Sequence, residues 1–180
     1  VGVTISENYR DQNRQLHETN ASYGNGIASE YWFPLIEGIA KDLDAAAVLD
    51  YGAGKQAMAR KLPGLLIVSY DPAVPGIDAT PSPADFVVCN DVLEHIEPEM
   101  LDAVLDDLQR LAIKGVFLSV CVAPAGKLLP DGRNAHLIQE PADWWLPKLM
   151  SRWKLQMFHL HKKGGTFGVF MLPKKNKVRG

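Results

Sequence analysis

Val48-Leu49-Asp50-Tyr51-Gly52-Ala53-Gly54-Lys55 decides how this chain is read. The apolar run at residues 45–49 predicts a buried strand, the two glycines predict a tight turn, and Lys55 to Leu62 reads as the helix that follows. A strand–turn–helix unit of this kind holds a nucleotide-like ligand at the carboxyl end of its strand. Its glycines let the backbone turn sharply and approach that ligand with no side chain in the way.

Two ligand chemistries compete for the turn. Gly52-x-Gly54-x-x-Ala57 formally fits the dinucleotide fingerprint, in which a pyrophosphate rests on the helix N-terminus. Asp50 argues against that fit, because a carboxylate repels diphosphate and no Arg or Lys precedes the turn. S-adenosylmethionine has the opposite polarity, with an ammonium and a sulfonium and no phosphate, and suits Asp50 better. Leu65-Leu66-Ile67-Val68-Ser69-Tyr70-Asp71-Pro72 then predicts a second buried strand that ends in an acid. Asp71 follows Asp50 by about twenty residues, the distance at which a nucleotide fold offers a carboxylate to the ribose hydroxyls. Both hydroxyls are donors, and one carboxylate accepts from both.

A third strand, Asp85-Phe86-Val87-Val88-Cys89-Asn90, runs into Asp91-Val92-Leu93-Glu94-His95 and a helix. On these stretches, together with Val48–Gly54 and Ser69-Tyr70-Asp71-Pro72, the chain resembles the class I S-adenosylmethionine-dependent methyltransferases; the match spans residues 45–125. The resemblance implies an α/β fold, a Rossmann-like doubly wound and mostly parallel seven-stranded sheet with a C-terminal antiparallel β-hairpin. It implies that Asp50, Gly52, Ala53 and Gly54 surround the methionine part of the cofactor and that Asp71 and Pro72 meet the ribose. By the same carry-over, Asp78 and Ala79 lie beside the adenine, while Asn90, Asp91 and Val92 line the floor near the sulfonium. The expected cofactor is S-adenosylmethionine, leaving as S-adenosylhomocysteine, with no metal.

The remaining elements fit one domain over residues 1–180, with a helical cap at 1–44, a cofactor-binding core at 45–125 and a substrate-side region at 126–180. Residues 28–43 predict a helix with Pro34 in its first turns and Tyr31, Leu35, Ile39 and Leu43 on its packed face. Residues 98–112 give the clearest helix: Pro98 starts it, Glu97 and Glu99 sit at the positive end of its dipole, and Leu101, Val104, Leu105, Leu108 and Leu111 form the stripe. Gly115 to Ala123 is apolar enough for a central strand covered on both faces. Lys154–His161 and Thr166–Leu172 alternate with period two around Lys163-Gly164-Gly165, which predicts the terminal hairpin. Plain NAD-binding domains have no need of that hairpin.

Composition narrows the functional classes. The chain has 180 residues, 47% hydrophobic and 22% charged, an ordinary globular balance with enough length for a sizeable core. A formal net charge of −2 gives no bias toward nucleic acid or anionic membrane. No leader segment and no membrane-length apolar run is read, so no membrane partner is expected. Cys89 and Cys121 sit in predicted strands without metal-ligand or dithiol spacing; they read as small core residues and suit a reducing cytoplasm.

Methyl transfer from a sulfonium asks mainly for alignment of a nucleophile with the C–S bond, about 3 Å from the methyl carbon. A base is needed only where the acceptor starts protonated. The candidates are His136, in the loop Arg133-Asn134-Ala135-His136-Leu137, and His17 and Tyr23 of the N-terminal segment; a solvated amphipathic helix is the plainer reading of that segment. His95 reads as structural or pocket-shaping. Asn20-Ala21-Ser22-Tyr23-Gly24-Asn25-Gly26 suits a lid hinge. Trp144 and Trp145 either stack on a flat acceptor or, more simply, pack at a core edge. His159 and His161 share a strand face with no third ligand in view, and Lys174, Lys175, Lys177 and Arg179 make a basic tail.

The acceptor is expected to be a small molecule. The Asn/Asp-Pro-Pro-aromatic loop of amino-methyltransferases acting on nucleic acid is replaced by Asn90-Asp91-Val92-Leu93, and no Pro-Cys loop supplies a cytosine-C5 nucleophile. A nucleic acid or nucleotide acceptor, hinted at by the basic tail, stays open, as does a non-catalytic cofactor-binding protein. The oligomeric state is not legible.

Overall fold

The computed structural model describes residues 2–161 and 165–174. Its strands are β1 (Val48–Tyr51), β2 (Ile67–Tyr70), β3 (Ala84–Asn90), β4 (Ala112–Cys121), β5 (Trp153–His161) and β6 (Thr166–Pro173). They form one sheet in the order β2-β1-β3-β4-β6-β5. The first four run parallel, with Leu49 opposite Val68 and Val87, and Val88 opposite Phe117. β6 enters antiparallel between β4 and β5, pairing Leu118 with Val169, so the expected C-terminal hairpin is present. Of its expected turn, Lys163 and Gly164 lie outside the described residues.

Among the described residues the sheet has six strands, not the expected seven. Between β2 and β3 the chain carries Pro72, Pro75, Pro81 and Pro83 along with Gly76. Each proline removes a backbone donor and fixes φ, so this stretch builds neither a further strand nor a crossover helix. β2 is therefore left as the sheet edge, with Val68 exposed.

Helices cover both faces. α1 (Glu7–Thr19) precedes α2 (Phe33–Asp42) and α3 (Ala57–Lys61); α4 (Leu101–Leu111) and α5 (Ala142–Arg152) follow. On one face Phe33, Ile36, Ile39 and Met58 pack with Val48, Phe86, Val88 and Phe117. On the other, the α4 stripe with Trp145 and Leu149 of α5 packs on Leu49, Val87, Val116 and Leu118. Strand residues alternate between these two cores, as the pleat requires. All five expected stripe residues of α4 are buried.

The helix read over residues 28–43 is two pieces. Ala28–Trp32 is a tighter 3-10 turn, and the α-helix starts at Phe33 with Pro34 in its first turn. Trp32, Phe33, Ile36, Ile39 and Ala40 are buried, and the change of pitch leaves Tyr31 exposed. Trp145 is fully buried and Trp144 packs beside it edge to face, the core-edge reading of that pair.

Candidate functional site

The carboxyl ends of β1, β2, β3 and β4 open into a cavity of about 830 Å³. Its rim includes Asp50, Gly52, Ala53 and Gly54 after β1, Asp71 and Pro72 after β2, and Asn90, Asp91 and Val92 after β3. Asp78 and Ala79, expected beside the adenine, are not among the residues that line it. Both are exposed; Asp78 accepts from the Gly76 N–H at 3.2 Å, and Ala79 borders a smaller groove under the proline-rich stretch.

The glycine turn is shaped by its neighbours as much as by any ligand. Gly52 has φ +83° and Gly54 φ +49°, the left-handed region that favours glycine. A Cβ on Gly52 meets the Val92 methyls at 2.5 Å, and one on Gly54 meets the Gly24 carbonyl at 2.6 Å. The loop Asn20–Gly26 is thus seated on the turn. Lys55 holds it there, with its N–H on the Gly24 carbonyl at 2.8 Å and its Nζ on the carbonyls of Asn20 and Ala21.

Asp50 and Asp71 face the cavity beside the glycine turn. Asp71 accepts from the Gly54 N–H at 3.0 Å and the Ala73 N–H at 2.9 Å, which aims it and ties the two strand ends together. Asp50 is buried, and burial together with the charge of Asp71 pushes its carboxyl from its ordinary 3.8 to about 7. Among the described residues it forms no ion pair, in keeping with that upward shift.

The roof is α1 and the loop behind it. Ser6 caps α1 by accepting from the Tyr9 N–H, while its own N–H and hydroxyl donate to the two oxygens of Glu97, at 2.8 and 2.6 Å. Tyr9 donates its hydroxyl to the His95 carbonyl, and Tyr9 packs with Leu129 and Ala135. Tyr23 donates to Asn13 Oδ1 at 2.6 Å, and burial raises its phenol far above the ordinary value, so its proton is held. His17 lies edge-on to Tyr23 at 4.8 Å between ring centroids, and its pKa is lowered, by burial first. Its charged neighbours are Asp71 and Lys55, which puts it over the turn rather than over the far end of the cavity.

That far end holds His136. Its Nδ1 lies 2.6 Å from the Ala123 carbonyl, and its ring stands edge-on to His95 at 4.6 Å. Burial lowers the pKa of His95 to about 4, so this imidazole is neutral. Glu94 is completely buried, with Oε1 accepting from the Cys121 N–H at 2.7 Å. Cys121 ends its strand at the cavity wall and is only half-buried, unlike Cys89, which is a core residue as expected. Asn90 donates to the Ser29 carbonyl and accepts from the Ser119 hydroxyl. Glu94 was not legible as a site residue: it stands beside His95 in sequence, but only the fold brings His136 to them. Lys55 and Lys127, the latter over the Tyr23 ring at 5.6 Å, carry no distinguishing sequence signal.

No protein-family model and no curated protein matches the chain. Solved structures do. A 1,6-didemethyltoxoflavin-N1-methyltransferase from Burkholderia thailandensis, with bound 1,6-didemethyltoxoflavin and S-adenosylhomocysteine, superposes with TM-score 0.69 at 14% identity over 97% of this chain and 92% of that one. DhpI in complex with S-adenosylhomocysteine gives 0.64 at 16% identity over 95% and 100%. The magnesium protoporphyrin IX methyltransferase of Synechocystis PCC 6803, with bound S-adenosylmethionine, gives 0.58 at 15% identity over 91% and 98%. These likenesses show the fold: the chain has the Rossmann-like α/β architecture of class I methyltransferases.

Proposed function

We propose that this chain, built on the class I methyltransferase fold, binds S-adenosylmethionine and transfers its methyl group to a small molecule. One observation carries the reading. Asp50 is a buried carboxyl that forms no ion pair among the described residues, set at the glycine turn and facing the same cavity as Asp71. The α-ammonium of S-adenosylmethionine supplies the missing charge, and its ribose hydroxyls donate to the lone pairs of Asp71 that Gly54 and Ala73 leave open. A dinucleotide places diphosphate where the negative charge already is. That fold neighbours are described with S-adenosylmethionine or S-adenosylhomocysteine bound, and one of them with 1,6-didemethyltoxoflavin as well, supports the same reading.

The cofactor end lies at the turn, so the acceptor enters beyond Asn90–Val92, toward His95 and His136. Its nucleophilic atom attacks the methyl carbon in line with the C–S bond, and the bonding pair stays on sulfur as S-adenosylhomocysteine leaves. An acceptor that starts as a hydroxyl also sheds a proton there. Tyr23 and His17 then serve as roof rather than as bases, since the Tyr23 hydroxyl is spent on Asn13.

Calorimetry with S-adenosylhomocysteine tests the reading. Binding at one site per chain, with no NAD binding under the same conditions, is the expected result. Affinity for NAD and none for S-adenosylhomocysteine removes it.

A further inference from the structure

Three side chains at the acceptor end of the cavity form a cluster that methyl transfer alone does not explain. Glu94, His95 and His136 each place a ligand atom within 4.8 Å of the others. Ligands about 2.1 Å from a tetrahedral ion stand about 3.4 Å apart, so the widest pair draws together by about 1.4 Å when an ion enters. Both imidazoles have their protons directed away from the cluster. With His136 Nδ1–H on the Ala123 carbonyl, Nε2 is the ligand nitrogen, and the ring also bonds the Cys121 thiol, with which an ion would compete. The His95 ring is hydrogen-bonded to the Ala135 backbone, while its buried Nδ1 has no partner. Backbone carbonyls behind imidazoles are what orients them as ligands.

The carboxylate completes the picture. Glu94 Oε2 is buried without an N–H or cationic donor, and the group hydrogen-bonded to the carboxyl is a second acid, Asp91, so the ion-free pair holds a shared proton that a cation would replace. Among the described residues neither acid forms an ion pair with Lys or Arg. Cys121 pins two of the three donors, its N–H on Glu94 Oε1 and its thiol hydrogen-bonded to His136. A packing role leaves buried acids and imidazole lone pairs facing each other at a cost; a cation reverses its sign.

We propose that Glu94, His95 and His136 bind one divalent cation of the borderline class, Mn²⁺, Fe²⁺ or Zn²⁺, at the acceptor end of the cavity. Two imidazoles and a carboxylate select that class over Ca²⁺. Asp91 adds negative charge beside the site, and the positions turned toward the cavity stay open to an acceptor.

This deepens the methyltransferase reading and rests on it for its chemistry. A cation there repels a protonated amine and favours an oxygen acceptor, a hydroxyl or phenol. The acceptor O–H loses its proton to solvent, its oxygen forms the bond to the methyl carbon, and the C–S bond breaks with its pair left on sulfur. The products are the methyl ether, S-adenosylhomocysteine and a proton.

The test uses the full chain stripped with a chelator. Mn²⁺ is titrated while its free form is followed by electron paramagnetic resonance, and Zn²⁺ is titrated by calorimetry. One equivalent of Mn²⁺ per chain is expected, displaced by Zn²⁺ and not by Ca²⁺. His136→Ala, at the cavity wall, and Glu94→Gln each weaken it by about ten- to hundredfold. Circular dichroism and a cooperative urea transition, measured without metal, show that each variant is folded. Wild-type protein that takes up neither ion overturns the proposal, whatever the variants do. Binding that survives both substitutions also overturns it, because other donors, such as the exposed His159, then hold the ion. Metal binding with the expected dependence but no S-adenosylhomocysteine affinity leaves the cation site standing and removes the methyltransferase reading; the reverse result removes the cation alone.

Discussion

At the scale of the residue, the account turns on Asp50. Its carboxyl has a pKa of about 7 in the folded chain against 3.8 in the open one, so the folded form retains a proton that the unfolded chain has lost. Stability of the ligand-free protein therefore falls as pH rises from about 4 to about 7 and levels off above that. Asp50→Asn removes the penalty. At pH 8 it is expected to raise the ligand-free protein's stability in urea by on the order of 2–4 kcal/mol, while costing cofactor affinity. A variant less stable than wild type at pH 8 contradicts this. The same ionisation makes S-adenosylhomocysteine bind more weakly below pH 7, by up to about tenfold per unit, in calorimetry from pH 8 to pH 5.5. Asp71→Ala is expected to weaken that binding by roughly 1.5–3 kcal/mol, and unchanged affinity excludes Asp71 as the ribose partner. Asp50 and Asp71 were legible in sequence because each ends an apolar strand at a fixed spacing. Asp78 is not among the residues lining the cavity, because the prolines around it carry the chain aside. Glu94 and His136 meet only after folding, and no linear spacing announces them.

At the scale of the element, helix α4 could be read directly, since its leucine and valine stripe repeats at the helical period over a whole face. Leu105, fully buried there, is expected to cost about 2–5 kcal/mol when cut to alanine, as measured by chemical denaturation. In the segment at residues 28–43, Leu35, Ile39 and Leu43 pack as expected, and only Tyr31 departs, because it lies in the 3-10 turn before the α-helix, a change of pitch that apolar residues alone do not reveal. The glycine turn and the loop over it act as a pair. Gly54→Val drives a side chain into the Gly24 carbonyl, so its first effect is to unseat Asn20–Gly26, with loss of cofactor affinity following from that. Faster amide exchange across residues 20–26 in the ligand-free variant is the sign to look for; protection equal to wild type sinks the idea. The N-terminus of α1 depends likewise on Glu97. Ser6→Ala is expected to cost about 0.5–2 kcal/mol of local stability, read as increased exchange in α1.

At the scale of the whole molecule, four parallel strands deliver their carboxyl ends to one edge, and the roof comes from the residues before the sheet begins. β1, β3 and β4 were visible in sequence because buried strands are short apolar runs, and the hairpin because it alternates; β2, read as buried, is a half-exposed edge strand. The strand count was not visible: among the described residues a seventh strand is absent where prolines replace donors. With six strands the cavity still receives the glycine turn, both acids and the acceptor-side histidines, since none of them comes from the missing edge. The most direct test is a crystal of the chain grown with S-adenosylhomocysteine. The account predicts its amino group against Asp50, its ribose hydroxyls on Asp71 and its sulfur over Asn90–Val92. An empty cavity under saturating ligand, or a dinucleotide seated at the Gly52–Gly54 turn in its place, contradicts it.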